Sequence, residues 1–549
     1  MEYDVIVIGG GIAGGIPAAT YLQKAGAKVV IVEARHELGT FIPTEEIWPQ
    51  VLSSSHAAGN WSGNSPAWED LNLEEYGYRL VASPIGIGNT HVNGKNLFFK
   101  HGLAKTCEAI ARYSEKDADR VKNILPQFIK NIVELNELVL FSPPSTEKLD
   151  ILYEKMANLW GTPVADFRSM NGFELLESTF ESPEVRMMFL SVGASGAMGD
   201  IGVPGQGAFT VPMFMLIANA QAAGGNHSLA HAFLRIFLEK GGVIMRNCPV
   251  VEIIMEGDVA KGVRLSPNAA WPNQEIRARH GVVSNLGVPK TLEVVGEEVI
   301  RKADPHLATK MKDWDMASRS SSATTWILDG FPNWGSREWD PDVDKAHFFY
   351  GTAWETWEGV KRWYEAKKNN DVEGSIGRFL EIVVPAVLDP SQMSPDGYVS
   401  VRAEEVLPFW FGEEGSDPER WDDEKDSMLK NRTEFMERLA PGFEGQVLET
   451  ANSTPLDIWR LNSAAIYGNS IGGSLTADQW MLGRMPYRMP IEGLYCCNGV
   501  WPGSLTTMAT GYNAACVVAE DMGIRKQPWW THRPMEWFRK NISRLLPAQ

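Results

Sequence analysis

Residues 3–39 read YDVIVIGGGIAGGIPAATYLQKAGAKVVIVEARHELG, and this segment sets the fold class. Residues 4–8 form a short β-branched run that is typical of a buried parallel strand. A G-x-G-x-x-G pattern follows, in which Gly9 permits a tight turn, Gly11 lets the backbone approach a pyrophosphate, and Gly14 lets the next helix pack closely. The N-terminus of that helix attracts phosphate through its unpaired N–H groups. The residues predicted to hold the phosphates are Gly9, Gly11, Ile12, Ala13 and Gly14.

A second short strand, residues 29–32, follows a helix predicted over residues 18–25 and ends in Glu33. A carboxylate at this point is placed to bind ribose hydroxyls and would repel a 2′-phosphate, which favours FAD or NAD over NADP. Ala34 and Arg35 come next and belong to the same predicted site. The alternative is a structural glycine turn in an ordinary α/β domain. Strand, glycines, helix, strand and acid in this order favour the dinucleotide site.

The composition is that of a globular protein with more than one domain. The chain has 549 residues, which is too long for a single core, and 44% of them are hydrophobic and 22% charged. A net charge of -18 argues against a nucleic-acid-binding surface. The five cysteines show no metal-ligand spacing, so no metal site is predicted, and their scatter favours a reduced, cytosolic protein. The first strand begins near residue 3 without a basic leader, so no signal peptide is expected.

The middle of the chain returns to the nucleotide-domain pattern after a long helical stretch. A helix predicted over residues 229–240 is stopped by two glycines, and short apolar strands follow it. Residues 41–66 are predicted to be irregular. Residues 301–453 are rich in Trp, and their aromatic side chains either fill a core or shape a cleft for an apolar substrate. The later strands are predicted at residues 243–245, 250–254, 259–265, 281–285, 320–328 and 379–388.

Four features occur along the chain in this order: the glycine fingerprint, the strand at Val251, the strand ending in Asn285 and the closing segment at residues 493–515. This order resembles the phytoene desaturase and carotenoid isomerase group of flavoproteins, relatives of the amine oxidases. The resemblance implies FAD as the cofactor, with Glu33 on the adenosine ribose and the backbone near Val251 on the adenine. It also implies that the closing glycine segment lies against the isoalloxazine ring. The closing-segment residues predicted to contact the cofactor are Gly499, Gly503, Ser504, Leu505 and Thr506.

The closing segment leads into a helix predicted over residues 512–521. Its N-terminal N–H groups can face the edge of the flavin that becomes negative on reduction. One departure from the family concerns the segment after the acid, where members carry a Gly-Gly pair followed by arginine. Here Thr40 and Phe41 follow Gly39, so flavin affinity or redox tuning differs, or the chain is one subunit of a larger enzyme.

These observations predict an α/β fold with a Rossmann-like FAD-binding domain that is discontinuous in sequence and carries an inserted α+β substrate domain. The predicted FAD-binding domain comprises residues 1–90, 224–300 and 454–524, the substrate domain comprises residues 91–223 and 301–453, and the C-terminal tail comprises residues 525–549.

The tail differs from the rest of the chain because it is basic and rich in Trp. It contains six Lys or Arg residues against one Glu, on a chain that is acidic overall. Tryptophan and cations together suit a membrane interface or an acidic partner. The equal alternative is a tail docked on its own acidic body. Cytosolic localisation is expected in both cases, with peripheral membrane contact only in the first.

The leading functional prediction is FAD-dependent dehydrogenation, desaturation or redox isomerisation of a hydrophobic, terpenoid-like or alicyclic substrate. A flavin takes a hydride at N5, while the protein positions the substrate carbon and excludes water. His56 and Tyr467 are weak candidates for catalysis, and no acid–base pair is assigned. Two alternatives stay open: a flavin oxidase or reductase of another small substrate, such as an amine or enone, and a non-catalytic flavin-binding subunit. An external electron acceptor and a homo- or hetero-oligomer are compatible with each of these functions.

Overall fold

Two large sheets organise this computed structural model, which describes residues 1–54, 59–194, 198–354 and 356–547. The strands are β1 (Glu2–Ile8), β2 (Val29–Val32), β3 (Glu45–Trp48), β4 (Val51–Ser53), β5 (Leu80–Ala82), β6 (Ile85–His91), β7 (Asn96–Lys100), β8 (Ala220–Ala222), β9 (Val243–Met245), β10 (Val250–Glu256), β11 (Val259–Leu265), β12 (Glu275–Ser284), β13 (Ser320–Leu328), β14 (Phe348–Thr352), β15 (Phe379–Val383), β16 (Val399–Leu407), β17 (Val447–Ser453) and β18 (Leu494–Cys496).

Helices pack around both sheets. In chain order they are α1 (Gly15–Lys24), α2 (Ala67–Asp70), α3 (Leu103–Ala111), α4 (Glu115–Val139), α5 (Thr146–Trp160), α6 (Val164–Ser169), α7 (Gly172–Thr179), α8 (Pro183–Ala194), α9 (Gln206–Thr210), α10 (Ser228–Glu239), α11 (Val288–Val295), α12 (Glu297–Ala303), α13 (Pro305–Lys312), α14 (Trp357–Lys368), α15 (Val372–Ser375), α16 (Arg420–Asp423), α17 (Lys425–Leu439), α18 (Phe443–Gln446), α19 (Pro455–Leu461), α20 (Ala509–Asp521) and α21 (Glu536–Leu545). Within the described ranges, none of these helices is both long and apolar enough to cross a bilayer.

The first sheet is built around the N-terminal strand. β1 pairs in parallel with β2 on one side and with β12 on the other, and the order runs β10-β11-β12-β1-β2-β9, with β18 also paired to β12. The four residues of β2 are fully buried, as a parallel strand covered on both faces requires. Since β1, β12 and β18 come from distant parts of the chain, this sheet brings the glycine fingerprint and the closing segment together.

The second sheet is mostly antiparallel and is drawn largely from the later half of the chain. Its order is β17-β13-β16-β15-β14-β6-β7, and only β14 and β6 pair in parallel. β13 and β16 pair over nine residues, from Ser320↔Leu407 to Leu328↔Val399. β15 pairs with β16 at Glu381↔Glu404, which places two carboxylates side by side. The mixed α/β class predicted from the sequence is confirmed.

Several predicted bounds need correction. α1 begins at Gly15 rather than at residue 18, so Pro17 lies in the first turn, where its missing N–H has no helical partner to lose. The strand predicted over residues 379–388 ends at Val383, because Pro385 cannot donate to a ladder and begins a 3₁₀ turn. Residues 41–66, predicted to be irregular, contain β3 and β4. The division into domains stays a prediction; β6, a strand of the second sheet, runs across residue 90, where one boundary was predicted.

The C-terminal tail docks on the body of the protein. Trp537 stacks on Trp68 with ring centroids 3.7 Å apart and planes 8° apart. Trp530, Trp537 and Phe538 are all buried. The charged partners of the tail are acidic residues of the body, in the pairs Arg533–Glu137, Lys540–Glu69 and Arg544–Glu74. The tail therefore has the docked arrangement, and its main aromatic side chains are packed rather than presented to a membrane.

Candidate cofactor and active site

A cavity of about 480 Å³ lies where the two sheets face each other, which is a volume typical of ligand sites. One end is formed by the glycine fingerprint and Glu33 of the first sheet. The other end is formed by residues of β13, β15 and β16 in the second sheet. The cavity thus joins the predicted nucleotide site to the predicted substrate domain.

The glycine fingerprint is shaped by close contacts that leave no room for side chains. Gly9 has φ +90°, a conformation that favours glycine. A Cβ atom on Gly10 would lie 2.5 Å from the Leu38 side chain, and one on Gly11 would lie 2.6 Å from Asn285 Nδ2. Backbone atoms therefore form this wall of the cavity and are accessible to a diphosphate.

Glu33 is held at the end of β2 by two backbone groups. The N–H of Gly10 donates to Glu33 Oε2 at 2.7 Å, and the N–H of Arg35 donates to Oε1 at 2.8 Å. Arg35 in turn donates from Nη1 to the carbonyl oxygen of Leu461 at the end of α19. The carboxylate lines the cavity beside Ala34 and Val251, as the sequence-based assignment requires, although its contact with a ribose stays a prediction.

The closing segment reaches the same cavity in part. Ser504, Leu505 and Thr506 line it, whereas Gly499 and Gly503 do not and instead make turns at φ +72° and +99°. The hydroxyl of Thr506 accepts from the backbone N–H of Trp61 at 2.9 Å. These contacts fix the closing segment against the loop that follows β4.

The two glycine segments also touch each other directly. The backbone N–H of Gly511 and the hydroxyl of Thr510 both donate to the carbonyl oxygen of Ala13, at 2.9 and 2.8 Å. A Cβ on Gly511 would lie 2.3 Å from the carbonyl oxygen of Gly14. α20 starts at Ala509, before the predicted residue 512, and at least one of its first N–H groups is used to join the glycine turn that precedes α1.

Thr40 and Phe41, which stand where the family resemblance predicts an arginine, line the cavity. The lining does contain cations from other parts of the described chain, namely Arg35, Lys290, Arg319 and Arg460. Arg319 lies at the end formed by the second sheet. None of these four cations stands at position 40 or 41, so none of them replaces the predicted arginine at its own place in the sequence.

The wall formed by the second sheet is charged, a feature that the sequence analysis missed. Arg319, Ser321, Glu381 and Glu404 line it, and Arg319 is only 9% exposed. Arg319 Nη1 donates to Ser470 Oγ at 3.1 Å, and Ser470 Oγ lies 2.9 Å from Ser321 Oγ. Burial lowers the pKa of the Arg319 guanidinium, while Glu404 and Glu381 oppose that shift. We call Arg319, Ser321, Glu381 and Glu404 the charged wall.

The charged wall could not be found from local sequence. Glu381 and Glu404 are 23 positions apart and become neighbours only through the register of β15 and β16. The next residue along, Glu405, points to the opposite face, where it pairs with buried Arg432 at 3.1 Å. The only available signal was the occurrence of acidic residues within strands that are otherwise apolar.

The two weak catalytic candidates have different outcomes. His56 lies outside the described residues. Tyr467 is not among the residues that line the cavity; its ring packs 4.7 Å from that of Phe409 and 4.9 Å from that of Trp459. Burial raises the pKa of Tyr467. Its place in an aromatic cluster gives no support to a catalytic role, whereas residues 469–472 just after it do line the cavity.

Comparison with known proteins agrees with this arrangement. Residues 7–72 match the model of an NAD(P)-binding Rossmann-like domain. A limonene dehydrogenase polypeptide of Castellaniella defragrans, described as one of the subunits of that enzyme, is 25% identical over 96% of each chain. Prolycopene isomerase 1 of an Oncidium hybrid cultivar is 22% identical, over 96% of this chain and 85% of the isomerase. The structure of cyclohexylamine oxidase from Brevibacterium oxydans aligns with a TM-score of 0.56 at 16% identity, covering 95% of this chain and 100% of the oxidase.

The full-length relatives and the shared fold point in one direction, since both match nearly the whole chain and not only the glycine fingerprint. The resemblance inferred from the two glycine segments is confirmed: the chain is an oxidoreductase similar to limonene dehydrogenase and prolycopene isomerase over nearly its whole length, and it shares its fold with cyclohexylamine oxidase.

Proposed function

We propose that the chain binds FAD in this cavity and catalyses dehydrogenation, desaturation or redox isomerisation of a hydrophobic, terpenoid-like or alicyclic substrate. The observation that supports the proposal most is the single cavity that joins the glycine fingerprint and Glu33 to the charged wall. Limonene and prolycopene, named in two full-length relatives, are both terpenoid hydrocarbons.

The residues present fit FAD at the nucleotide end. The glycine fingerprint offers a cradle that Cβ atoms would fill, and Glu33 lies where ribose hydroxyls can be bound. The backbone near Val251 would contact the adenine, and residues 504–506 would lie near the ring. FAD, when bound, supplies a hydride acceptor.

The part of the protein itself in a dehydrogenation is to orient the substrate, exclude water and take a proton. Forming a C=C bond from a C–C bond releases one hydrogen as a hydride and the other as a proton, so a basic group at the substrate end is useful. Glu381 and Glu404 line the cavity at this end and stand side by side on β15 and β16, and Arg402 donates to Glu404 at 3.1 Å. We propose that a carboxylate oxygen of the neighbouring Glu381 and Glu404 accepts the proton.

The proposal is tested with the purified protein. Extraction of the cofactor from the protein should release FAD. In the intact protein, the flavin absorption should bleach anaerobically when a terpenoid or alicyclic substrate is added. Reoxidation by a quinone but not by oxygen would support a dehydrogenase that uses an external acceptor. Rapid peroxide formation with an amine would instead identify an oxidase, and extraction of NAD without flavin would contradict the proposal.

A second candidate is a flavin-binding subunit of a larger enzyme. It is favoured by the relative described as a subunit and by Thr40-Phe41 in place of the arginine of the family. The expected result for a subunit is a protein that retains FAD but bleaches with no substrate until a second polypeptide is added. Turnover by the chain alone would exclude this role.

A further inference from the structure

Three potential metal ligands from two distant segments meet beside the loop that follows β2. Glu37 lies in that loop, while His227 and His231 lie at the start of α10. One ligand atom of each side chain lies within 4.8 Å of those of the other two. None of the three residues lines the cavity described above. We call Glu37, His227 and His231 the His-Glu cluster.

The spacing of the two histidines suits a shared ligand. His227 and His231 are four positions apart, so they lie one above the other on the same face of the helix start. Their ring centroids are 4.6 Å apart with planes at 89°, and Nε2 of His227 lies 3.1 Å from Glu37 Oε1. In a tetrahedral zinc site the donor atoms are about 3.4 Å apart, given metal–ligand bonds of about 2.1 Å. Small rotations of the two exposed side chains would close the remaining distance.

His227 gives the cluster a fixed point. The residue is 7% exposed, and its backbone N–H donates to Thr44 Oγ1 at 3.1 Å. Nδ1 of His227 is buried and has no hydrogen-bond partner within the described part of the chain. His231 and Glu37 are exposed, so they can move toward a ligand at little cost.

An ion pair between Glu37 and His227 does not explain why His231 lies beside both of them. A second imidazole next to the first is unfavourable if both are protonated. Two imidazoles and one carboxylate are the ligand set of many zinc sites with a position left for water.

We propose that Glu37, His227 and His231 form a binding site for a zinc-class divalent cation. Imidazole nitrogen favours zinc and its transition-metal neighbours over Mg²⁺ and Ca²⁺, which prefer oxygen ligands. The site joins α10 to the loop between Glu33 and Phe41. In that loop, Gly39 donates its N–H to the carbonyl oxygen of Gly10 at 2.8 Å, so a bound cation would also hold the loop against the glycine fingerprint.

The test uses full-length, tag-free protein with its own cofactor, first treated with a chelator and then dialysed against Zn²⁺ or Mg²⁺. The expected result is about one equivalent of Zn²⁺ by elemental analysis, no comparable Mg²⁺ binding and a higher melting temperature with Zn²⁺. His231→Ala and Glu37→Gln should each weaken Zn²⁺ binding by at least about tenfold, because both remove a direct ligand.

His36→Ala is the matched control, since His36 is exposed, lies in the same loop and is not part of the His-Glu cluster. It should bind Zn²⁺ like the wild type. Equal Zn²⁺ affinity in His231→Ala, Glu37→Gln and the wild type would overturn the proposal, as would the absence of Zn²⁺ binding by the wild type. Both test residues are exposed, and circular dichroism of each variant verifies that the fold is kept.

Discussion

Asn285 fills the space beside Gly14, at the point where early, middle and late parts of the chain meet. A Cβ atom on Gly14 would lie 2.2 Å from Asn285 Oδ1 and 2.8 Å from the carbonyl oxygen of Cys497. The backbone carbonyl of Asn285 also accepts from the side chain of Asn498 at 3.3 Å. The fingerprint glycine is therefore needed for packing between remote segments as well as for a cofactor.

Gly14→Ala should destabilise the protein and lower its flavin content, because a rigid backbone carbonyl and the half-buried amide of Asn285 both oppose the added methyl group. We expect a loss of about 1–3 kcal/mol in the free energy of unfolding. Gly445→Ala is the control, since a Cβ there meets nothing within 4 Å. Denaturant unfolding and the ratio of flavin to protein measure the effect. Equal values for the two variants would show that Asn285 and the carbonyl oxygen of Cys497 do not crowd a Cβ atom at position 14.

Gly11→Ala should be milder, and its effect should be reversed by a second substitution. The only close neighbour of a Cβ on Gly11 is the Asn285 side chain, at 2.6 Å. Gly11→Ala combined with Asn285→Ala should therefore be less destabilised than the sum of the single variants, which a double-mutant cycle measures. Additive losses would mean that Asn285 is not the obstacle.

Glu381→Gln should slow substrate-dependent bleaching by about 10²–10⁴-fold if this carboxylate takes the proton. Flavin content should not change, because Glu381 lies at the charged wall and away from the glycine fingerprint. Glu449→Gln, an exposed change on β17, is the control. An unaltered bleaching rate in Glu381→Gln would assign the proton to another group.

Trp537→Ala should destabilise the protein by about 3–5 kcal/mol, because it removes a buried ring that stacks on Trp68. Trp271→Ala should have little effect, since Trp271 is 47% exposed. Thermal unfolding compares the two. If the tail instead served a membrane, Trp537→Ala would reduce binding to anionic vesicles and leave stability unchanged.

Acidification should destabilise the protein through two buried histidines. Burial lowers the pKa of His91 to about 4 and that of His347 to about 3. Because both rings stay neutral in the folded state but take up a proton near pH 6.5 when unfolded, stability is full above pH 6.5 and falls below it. The loss at pH 5 is about 2 kcal/mol for each histidine. The difference between pH 7.5 and pH 5 should shrink in His91→Asn and His347→Asn, measured by urea unfolding.

Local patterns predicted the α/β class and many elements. β11 and β13 begin and end at the predicted residues. The strand at Phe379 was predicted too long, since its apolar pattern continues past the point where Pro385 ends the ladder. Element bounds near Gly and Pro are set by backbone chemistry that hydrophobic patterning alone does not reveal.

The structure likewise brings some of the predicted site residues to the cavity and not others. Residues next to one another, such as those of the glycine fingerprint and residues 504–506, reach the cavity together. Tyr467 does not, because the chain turns at that residue with φ +57° and packs its ring among other aromatic rings. The sequence pattern identified Asn285 only as the end of a predicted strand, yet Asn285 contacts both glycine segments.

Local sequence was enough to specify the strand, glycine turn, helix, second strand and terminal acid of residues 3–39, because each depends on neighbours within a few positions. The folded chain was needed to show that Glu381 and Glu404 stand together on a charged wall, that Asn285 closes the space beside Gly14, and that the basic tail lies on its own body. These features depend on strand register and on packing between segments hundreds of residues apart. The free energy that fixes them comes from burying surfaces that no single segment contains.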